Sequence, residues 1–321
     1  MKVATYLMAA GLLVAAGAAQ AAETLTVGAI YLDAQGFYAG VRKGVQVQGA
    51  KSGKDLSIIE TNAQGDVAKE SSFIDTLVSA KVSAIILSAV SADGSVAAIR
   101  RANKSGIPVI CYNTCINPDD MKKYVAAYAV GDPFTFGEKL GAAAGDYFLK
   151  IGNKSPKIGV LNCEFVEVCV QRRKGFEKAM GEKVPGYKIV SNQEGTILDK
   201  AISVGQNIIS ANPDIDGFFG ESGGATLGAV KAVRNQNRVG KTVVFGGDMT
   251  TDIAQELIDN SVLKGEVDVS GQAIGAVALT AALDAIKGTK VADIIVPVPI
   301  DLYTTGDQAK AWLEAHKDGL P

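Results

Sequence analysis

The residues best suited to chemistry lie directly after the first predicted strand of the chain. The apolar run Leu25 to Tyr31 predicts a buried strand, and the next turn carries Gln35-Gly36-Phe37-Tyr38 ahead of a helix predicted over 39–51. Open α/β sheets bind ligands beyond the carboxyl ends of their strands. Two adjacent aromatic rings there suit stacking on the apolar face of a sugar ring. The three-glycine fingerprint of a dinucleotide site is missing from this turn.

A second candidate is a serine nucleophile. The segment Gly220-Glu221-Ser222-Gly223-Gly224 fits the G-x-S-x-G pattern between a predicted strand and helix, and Asp248 and His316 follow in the order of a hydrolase triad. However, His316 is the only histidine, lies in a charged terminal helix, and has no strand before it. No HGGG-type oxyanion segment is present. The hydrolase therefore stays a remote alternative, and the glycines are interpreted as allowing close approach to a ligand.

Carboxylates form the third chemical feature. Each carboxylate can accept hydrogen bonds from two hydroxyl groups, and such charge-assisted bonds are strong. Several acidic residues lie close to predicted strand ends: Asp33, Glu164, Glu221, Asp248 and Asp268. This set predicts a neutral sugar or sugar alcohol, with an amino-bearing ligand as an alternative, and disfavours acids and phosphates.

The four cysteines are predicted to form two short-loop disulfides, Cys111–Cys115 and Cys163–Cys169. A four-thiolate metal site is the alternative, although the spacings C-x3-C and C-x5-C do not match zinc knuckles. We expect no metal, no cofactor and no catalytic residue.

The amino terminus has the pattern of an export signal. Lys2 precedes an almost uncharged apolar run, Val3 to Ala19, and Ala19-Gln20-Ala21 matches a small-x-small cleavage site. We expect residues 1–21 to be removed in the periplasm, a retained membrane anchor being the alternative. With 32 basic and 34 acidic residues and no basic tract, the chain offers nothing that would attract a nucleic acid.

Strand and helix patterns alternate along the rest of the chain and predict an α/β fold of two doubly wound parallel-sheet lobes. A long helix is predicted over 133–150, and the second series then begins with a strand over 157–162. Short strands are predicted over Lys123–Val130 and Val267–Ser270.

The ordered motifs resemble those of periplasmic sugar-binding proteins of the ribose-binding type, the solute receptors of ABC importers. The resemblance covers essentially the whole mature chain. Its markers, beside the first turn, are Ala84-Ile85-Ile86-Leu87-Ser88, Ile107-Pro108-Val109-Ile110, Arg172-Arg173-Lys174-Gly175-Phe176, the 220–228 segment, Gly246-Gly247-Asp248-Met249-Thr250 and Val298-Pro299-Ile300-Asp301-Leu302.

The resemblance implies a type I periplasmic binding fold whose lobes are joined by a three-segment hinge and close around a ligand. The N-terminal lobe would comprise 24–130 plus 271–298, and the C-terminal lobe 131–270 plus 299–321. The resemblance implies as ligand-binding residues Gln35, Phe37, Tyr38, Ser88, Asn113, Gln171, Arg172, Ser222 and Asp248, and the carboxylates near strand ends add Glu164 and Glu221 to the predicted site. Asn113 and Thr114 replace the family's aspartate and arginine, and Val170 stands where an arginine is expected.

Each of these residues also has a structural interpretation. Phe37 and Tyr38 could be core contacts, Asp248 a helix cap, Asn113 a turn residue, and Glu164 a solvated loop charge. The implied partner is a membrane ABC permease, and the receptor is expected to be a monomer. A sensor that feeds a chemoreceptor or a histidine kinase is the alternative function.

Overall fold

One six-stranded parallel sheet forms the first lobe of the computed structural model, which describes residues 24–34, 36–289 and 291–321. The predicted export signal and Gln35 lie outside the described residues. The strand order is β11-β5-β4-β3-β1-β2. These strands are β1 (Leu25–Tyr31), β2 (Leu56–Asn62), β3 (Ala84–Leu87), β4 (Val109–Tyr112), β5 (Ala127–Val130) and β11 (Ile295–Pro297). The surrounding helices are α1 (Phe37–Lys51), α2 (Val67–Ser79), α3 (Val96–Lys104), α4 (Pro118–Tyr124) and α10 (Gly271–Ile286).

A second six-stranded sheet, in the order β12-β10-β9-β8-β6-β7, forms the other lobe. Its strands are β6 (Lys157–Asn162), β7 (Lys188–Glu194), β8 (Gly217–Gly220), β9 (Val243–Gly247), β10 (Leu263–Asp268) and β12 (Asp301–Tyr303), and only β12 runs antiparallel to its neighbour. Its helices are α5 (Pro133–Lys150), α6 (Glu167–Lys183), α7 (Leu198–Ala211), α8 (Gly223–Asn235), α9 (Thr251–Asp259) and α11 (Gly306–Ala315). The predicted fold class, two doubly wound lobes, is confirmed.

Two predicted strands were wrong in their bounds. The segment from Lys123 begins as the end of α4, because Pro118 and the Asn117 side chain, which accepts from the Asp120 amide, start a short helix there. Strand β10 begins at Leu263, four residues before the predicted start. Lys264, Gly265 and Glu266 lie among its first four residues, and these residue types are depleted in strands, so the local signal for a strand is weak there.

Close packing of α5 against α6 fixes the position of α6 in the second lobe. A Cβ atom on Gly137 would lie 1.8 Å from the Arg172 carbonyl oxygen, and one on Gly175 would lie 2.0 Å from that of Phe134. Only glycine permits this approach, so these two residues set where the side chains of α6 point.

The chain passes between the sheets after β5, after β10 and after β11. The crossing segments touch, since a Cβ atom on Gly131 would lie 2.8 Å from Val269 and 3.1 Å from Ile300. Among the described residues, no helix combines the length and the apolar character needed for a membrane span.

Candidate ligand-binding site

Polar side chains that follow the carboxyl ends of strands in both sheets come close to one another and define a cleft between the lobes. Tyr38, in the first lobe, is close enough to Asp248 and Arg172, in the second, for both charges to act on its phenol. Arg172 acts in the same way on Tyr128 of the first lobe. The cleft is therefore lined by both lobes at once.

On the first lobe, Phe37 and Tyr38 form the first turn of α1. Their rings meet edge to face with centroids 5.2 Å apart. Gly36 starts the helix with a φ of 54°, a left-handed conformation that suits glycine. Both rings are half-buried and pack against the lobe core. They therefore support the core and also keep part of their surface exposed.

The Tyr38 hydroxyl joins a hydrogen-bond network of the first lobe. It accepts from Asn113 Nδ2 at 3.1 Å and lies 3.4 Å from Ser88 Oγ. Ser88 is fully buried and lies 2.6 Å from the Thr114 hydroxyl, which donates to the Ala89 carbonyl. Burial raises the pKa of Tyr38, against the opposing effect of the bonds to Ser88 and Asn113, so the phenol is neutral at physiological pH.

Arg172 is the centre of the second lobe's contribution. Its guanidinium lies 3.9 Å above the Phe136 ring, donates to the Glu221 carbonyl at 2.6 Å, and lies 3.3 Å from the Asp248 carboxylate. The Arg172 side chain is 7% exposed and that of Asp248 is 15% exposed. Within the described residues, Arg172 Nε and Asp248 Oδ1 have no hydrogen-bond partner. Both atoms are buried, and Oδ1 of Asp248 is in ion-pair contact with Arg172 at 3.3 Å.

Asp248 does not cap α9. Thr250 is the N-cap residue, and its hydroxyl accepts from the Ile253 amide. Asp248 has a φ of 65°, and its Oδ2 atom accepts from the Gly223 amide at 3.3 Å. Its carboxylate is therefore held at the cleft by Arg172 and by the start of α8.

Glu221 lies beneath this cluster and is fully buried. Its Oε2 atom accepts from the Cys163 amide at 3.0 Å. Desolvation raises the pKa of Glu221 to about 8, so the carboxyl is mostly protonated at pH 7. Asp268, which accepts from the Met249 amide, has its pKa raised to about 7 by burial and by the nearby Asp248.

The residues of the hydrolase alternative each have other partners. Ser222 caps α8 by accepting from the Ala225 amide. Asp248 pairs with Arg172, and His316 stacks on Trp312 with ring centroids 4.4 Å apart. The structure thus does not show these three side chains joined as a triad.

Glu164 and Gln171 are bonded within their own lobe. Glu164 pairs with Arg173 at 2.6 Å and accepts from Asn192 at 2.8 Å, while Gln171 donates to Glu167. Burial, which would raise the pKa of Glu164, is outweighed by the hydrogen bonds from Arg173 and Asn192, so its pKa is lowered.

Phe136 and Tyr128 are site residues that the sequence did not reveal. Phe136 supports the Arg172 guanidinium, and the Tyr128 hydroxyl donates to the Asn113 carbonyl at 2.6 Å. Both are apolar or aromatic positions in regular elements, so no local pattern separates them from ordinary core residues.

A cavity of about 190 Å³ adjoins Tyr38 at the ends of β1 and β2. Glu60 at its wall pairs with Arg42 at 2.7 Å and accepts from the Tyr31 hydroxyl. The lining residues are Tyr31, Asp33, Ala34, Tyr38, Arg42, Glu60, Thr61 and Asn62.

Both predicted disulfides are confirmed. Cys111 is bonded to Cys115 and Cys163 to Cys169, with Cα–Cα distances of 5.4 and 5.5 Å. Each bond lies at the carboxyl edge of its own sheet, beside the cleft.

Residues 29–290 match the model of a family described as periplasmic binding protein domain. A relative from Escherichia coli, named ABC transporter periplasmic-binding protein YphF, is 58% identical over 98% of this chain and 97% of its own. The ribose import binding protein RbsB of Bacillus subtilis is 26% identical, over 84% of this chain and 83% of its own.

The fold is also similar to a solved structure from Actinobacillus succinogenes, an ABC transporter periplasmic solute-binding protein with bound D-allose. The TM-score is 0.81 at 22% identity, covering 89% of this chain and 99% of that one. Because the family model spans most of the sequence, the chain belongs to the periplasmic binding protein family.

Proposed function

We propose that this protein is the solute receptor of an ABC importer and captures a small neutral sugar or sugar alcohol between its two lobes. The observation that carries the proposal is the pairing of unlike chemistry across the cleft. Tyr38 and Asn113 lie on one side, and Arg172 and Asp248 on the other. Aromatic surface and charge-assisted hydrogen bonds together suit a polyhydroxylated ring.

The proposed mechanism is binding without chemical change. A ligand that contacts both lobes stabilises the closed form relative to the open form, and a membrane permease recognises the closed shape. The relatives named for ribose import and for ABC transport support a sugar and a permease partner. We further propose a periplasmic monomer whose first 21 residues are removed on export.

Calorimetry tests the ligand class. The panel contains D-ribose, D-allose and other pentoses and hexoses, polyols, amino sugars, sugar acids and sugar phosphates. We expect a neutral sugar or polyol to bind with one site per monomer and to be recovered intact. If only carboxylate or phosphate compounds bind, the proposal is wrong, and release of a reaction product would replace it with an enzyme.

Two further measurements test the remaining parts of the proposal. Amino-terminal sequencing of protein from the periplasm is expected to begin near residue 22, and an intact Met1 would contradict cleavage. Light scattering after size exclusion is expected to give the mass of one chain.

A further inference from the structure

Each lobe has one disulfide, and each disulfide closes a loop that carries or supports cleft residues. Cys111–Cys115 spans the turn of Asn113 and Thr114, and Cys163–Cys169 spans the connection from β6 to α6. Cys111, Cys163 and Cys169 are buried. The two bonds therefore occupy corresponding places at the carboxyl edges of the two sheets.

In the first lobe the disulfide closes a turn that folds back on itself. Asn113 has a φ of 55°, and the Thr114 amide donates to the Tyr112 carbonyl at 2.6 Å. The Asn113 side chain is thereby directed at the Tyr38 hydroxyl. A left-handed asparagine is strained relative to an extended or helical one, so the conformation needs support from its surroundings.

In the second lobe the disulfide holds the start of α6. The N-cap residue of this helix, Val166, has no side-chain hydrogen bond to the helix. Cys169 lies one turn before Arg172, and Cys163 donates its amide to Glu221, whose carbonyl accepts from Arg172. The disulfide, Glu221 and Arg172 thus form a closed set of contacts that fixes the guanidinium.

We infer that the two disulfides are positioning elements of the binding site, so that full ligand affinity requires both S–S bonds. This inference rests on the proposed function for the identity of the ligand. Loops this short gain little chain-entropy stabilisation from a cross-link compared with long loops. The effect should therefore appear in ligand affinity more than in the stability of the whole chain.

Paired substitutions provide the first test. Two double variants each remove one disulfide: Cys111→Ala/Cys115→Ala and Cys163→Ala/Cys169→Ala. The control is Ile208→Val, which lowers the stability of the protein at a buried core position away from the cleft. Binding is measured with the tightest-binding sugar of the panel. Substitution of either cysteine pair is expected to raise Kd at least tenfold, whereas Ile208→Val is expected to raise it less than twofold. Cysteine variants with unchanged Kd would overturn the inference.

A double-mutant cycle separates positioning from general weakening. In an Arg172→Lys background, loss of Cys163 and Cys169 is expected to raise Kd much less than in the wild type, because the group they position is gone. Fully additive losses would mean that this disulfide does not act through Arg172.

A third test needs no ligand. Dithiothreitol supplies two electrons and two protons, so that each S–S bond becomes two thiols while the reagent closes to a cyclic disulfide. A chelator is included, because Cys163, Cys169 and Glu221 would then present sulfur and oxygen ligands within 4.8 Å of one another. Hydrogen exchange is measured on the free protein in both states.

Reduction is expected to speed amide exchange at 113–115 and 163–172 while leaving the central strands protected. Unchanged exchange in both segments would contradict the inference. If no sugar binds the oxidised protein, the proposed function fails, and the exchange measurement still tests the positioning role.

Discussion

Asn113 and Asp248 occupy the same position in the two lobes and have the same unusual backbone. Asn113 follows β4, the fourth strand counted from the β2 edge of its sheet, and Asp248 follows β9, the fourth strand counted from the β7 edge of the other. The φ angle is 55° at Asn113 and 65° at Asp248. Asparagine and aspartate tolerate the left-handed region better than other residues with a Cβ atom. Each lobe therefore uses one such residue to direct a polar side chain toward the cleft.

The first prediction concerns the backbone of Asn113. We expect Asn113→Ala to lower the free energy of unfolding by about 1 kcal/mol more than Asn113→Gly, because alanine is strained at positive φ. Both variants lose the amide that bonds to Tyr38, so both should weaken sugar binding several-fold. Urea unfolding and calorimetry measure the two effects, and equal stability of the variants would contradict the strain argument.

The second prediction compares two neighbouring arginines of α6. Arg172→Met leaves Asp248 without its buried partner, and we expect a loss of about 3 kcal/mol in unfolding free energy and at least a hundredfold rise in Kd. Arg173→Met removes ion pairs to Glu164 and Glu177 that are more exposed than the pair of Arg172 with Asp248. The expected loss in unfolding free energy is therefore about 1 kcal/mol or less.

The affinity of Arg173→Met also tests the predicted ligand role of Glu164. We expect less than a threefold change in Kd, since Glu164 would still have its bond to Asn192. A loss comparable with that of Arg172→Met would instead make the Glu164–Arg173 pair part of the binding site.

The third prediction uses two glycines of the same helix. Gly175→Ala forces a Cβ atom against the Phe134 carbonyl, so α6 must move away from α5 and carry Arg172 with it. We expect Gly175→Ala to lower the free energy of unfolding by at least about 2 kcal/mol and to weaken sugar binding. At Gly181 a Cβ atom meets only Tyr187 at 3.5 Å, so Gly181→Ala should stabilise the helix by up to about 1 kcal/mol. Equal thermal midpoints for the two variants would refute the close-packing argument.

The fourth prediction is a pH dependence of stability set by Glu221. Burial raises its pKa in the folded protein to about 8, above the value near 4.5 expected for an unfolded chain. The stabilisation from the protonated form is complete below pH 4.5 and is lost as the pH rises through 8. Its upper bound is about 5 kcal/mol, from 1.36 kcal/mol per unit of pKa difference.

Urea unfolding at intervals from pH 5 to pH 9 measures this dependence. The wild type should lose stability as the pH rises, and Glu221→Gln, which cannot ionise, should show a smaller loss. Some slope should remain, because burial also raises the pKa of Asp268 and of Glu266. Identical slopes for the wild type and Glu221→Gln would show that Glu221 does not carry the effect.

Regular elements with strong local signals could be predicted from the sequence. The helix over 133–150 and the strand over 157–162 match the structure residue for residue. Asp132 and Pro133 explain the helix start, since the Asp132 carboxylate accepts from the amides of Phe134 and Thr135. Local chemistry of this kind determines where such an element begins.

The arrangement around Arg172 could not be predicted in the same way. Its partners Phe136, Glu221 and Asp248 lie on three other segments, and Phe136 is separated from it by most of α5. The resemblance indicated that Arg172 belongs to the site but gave no partner for it. Only the close approach of α5 and α6 determines which ring supports the guanidinium.

The late position of β11 in the sequence has a consequence for how the protein is made. Residues 295–297 complete a sheet whose other five strands are all synthesised before residue 131. Until the ribosome has almost finished the chain, the outer side of β5 lacks its neighbour and presents free backbone groups that can pair with another strand. From the completion of β5 at residue 130 until residues 295–297 emerge, about half of translation, a nascent chain therefore exposes this edge to aggregation, and a polypeptide truncated before β11 exposes it permanently.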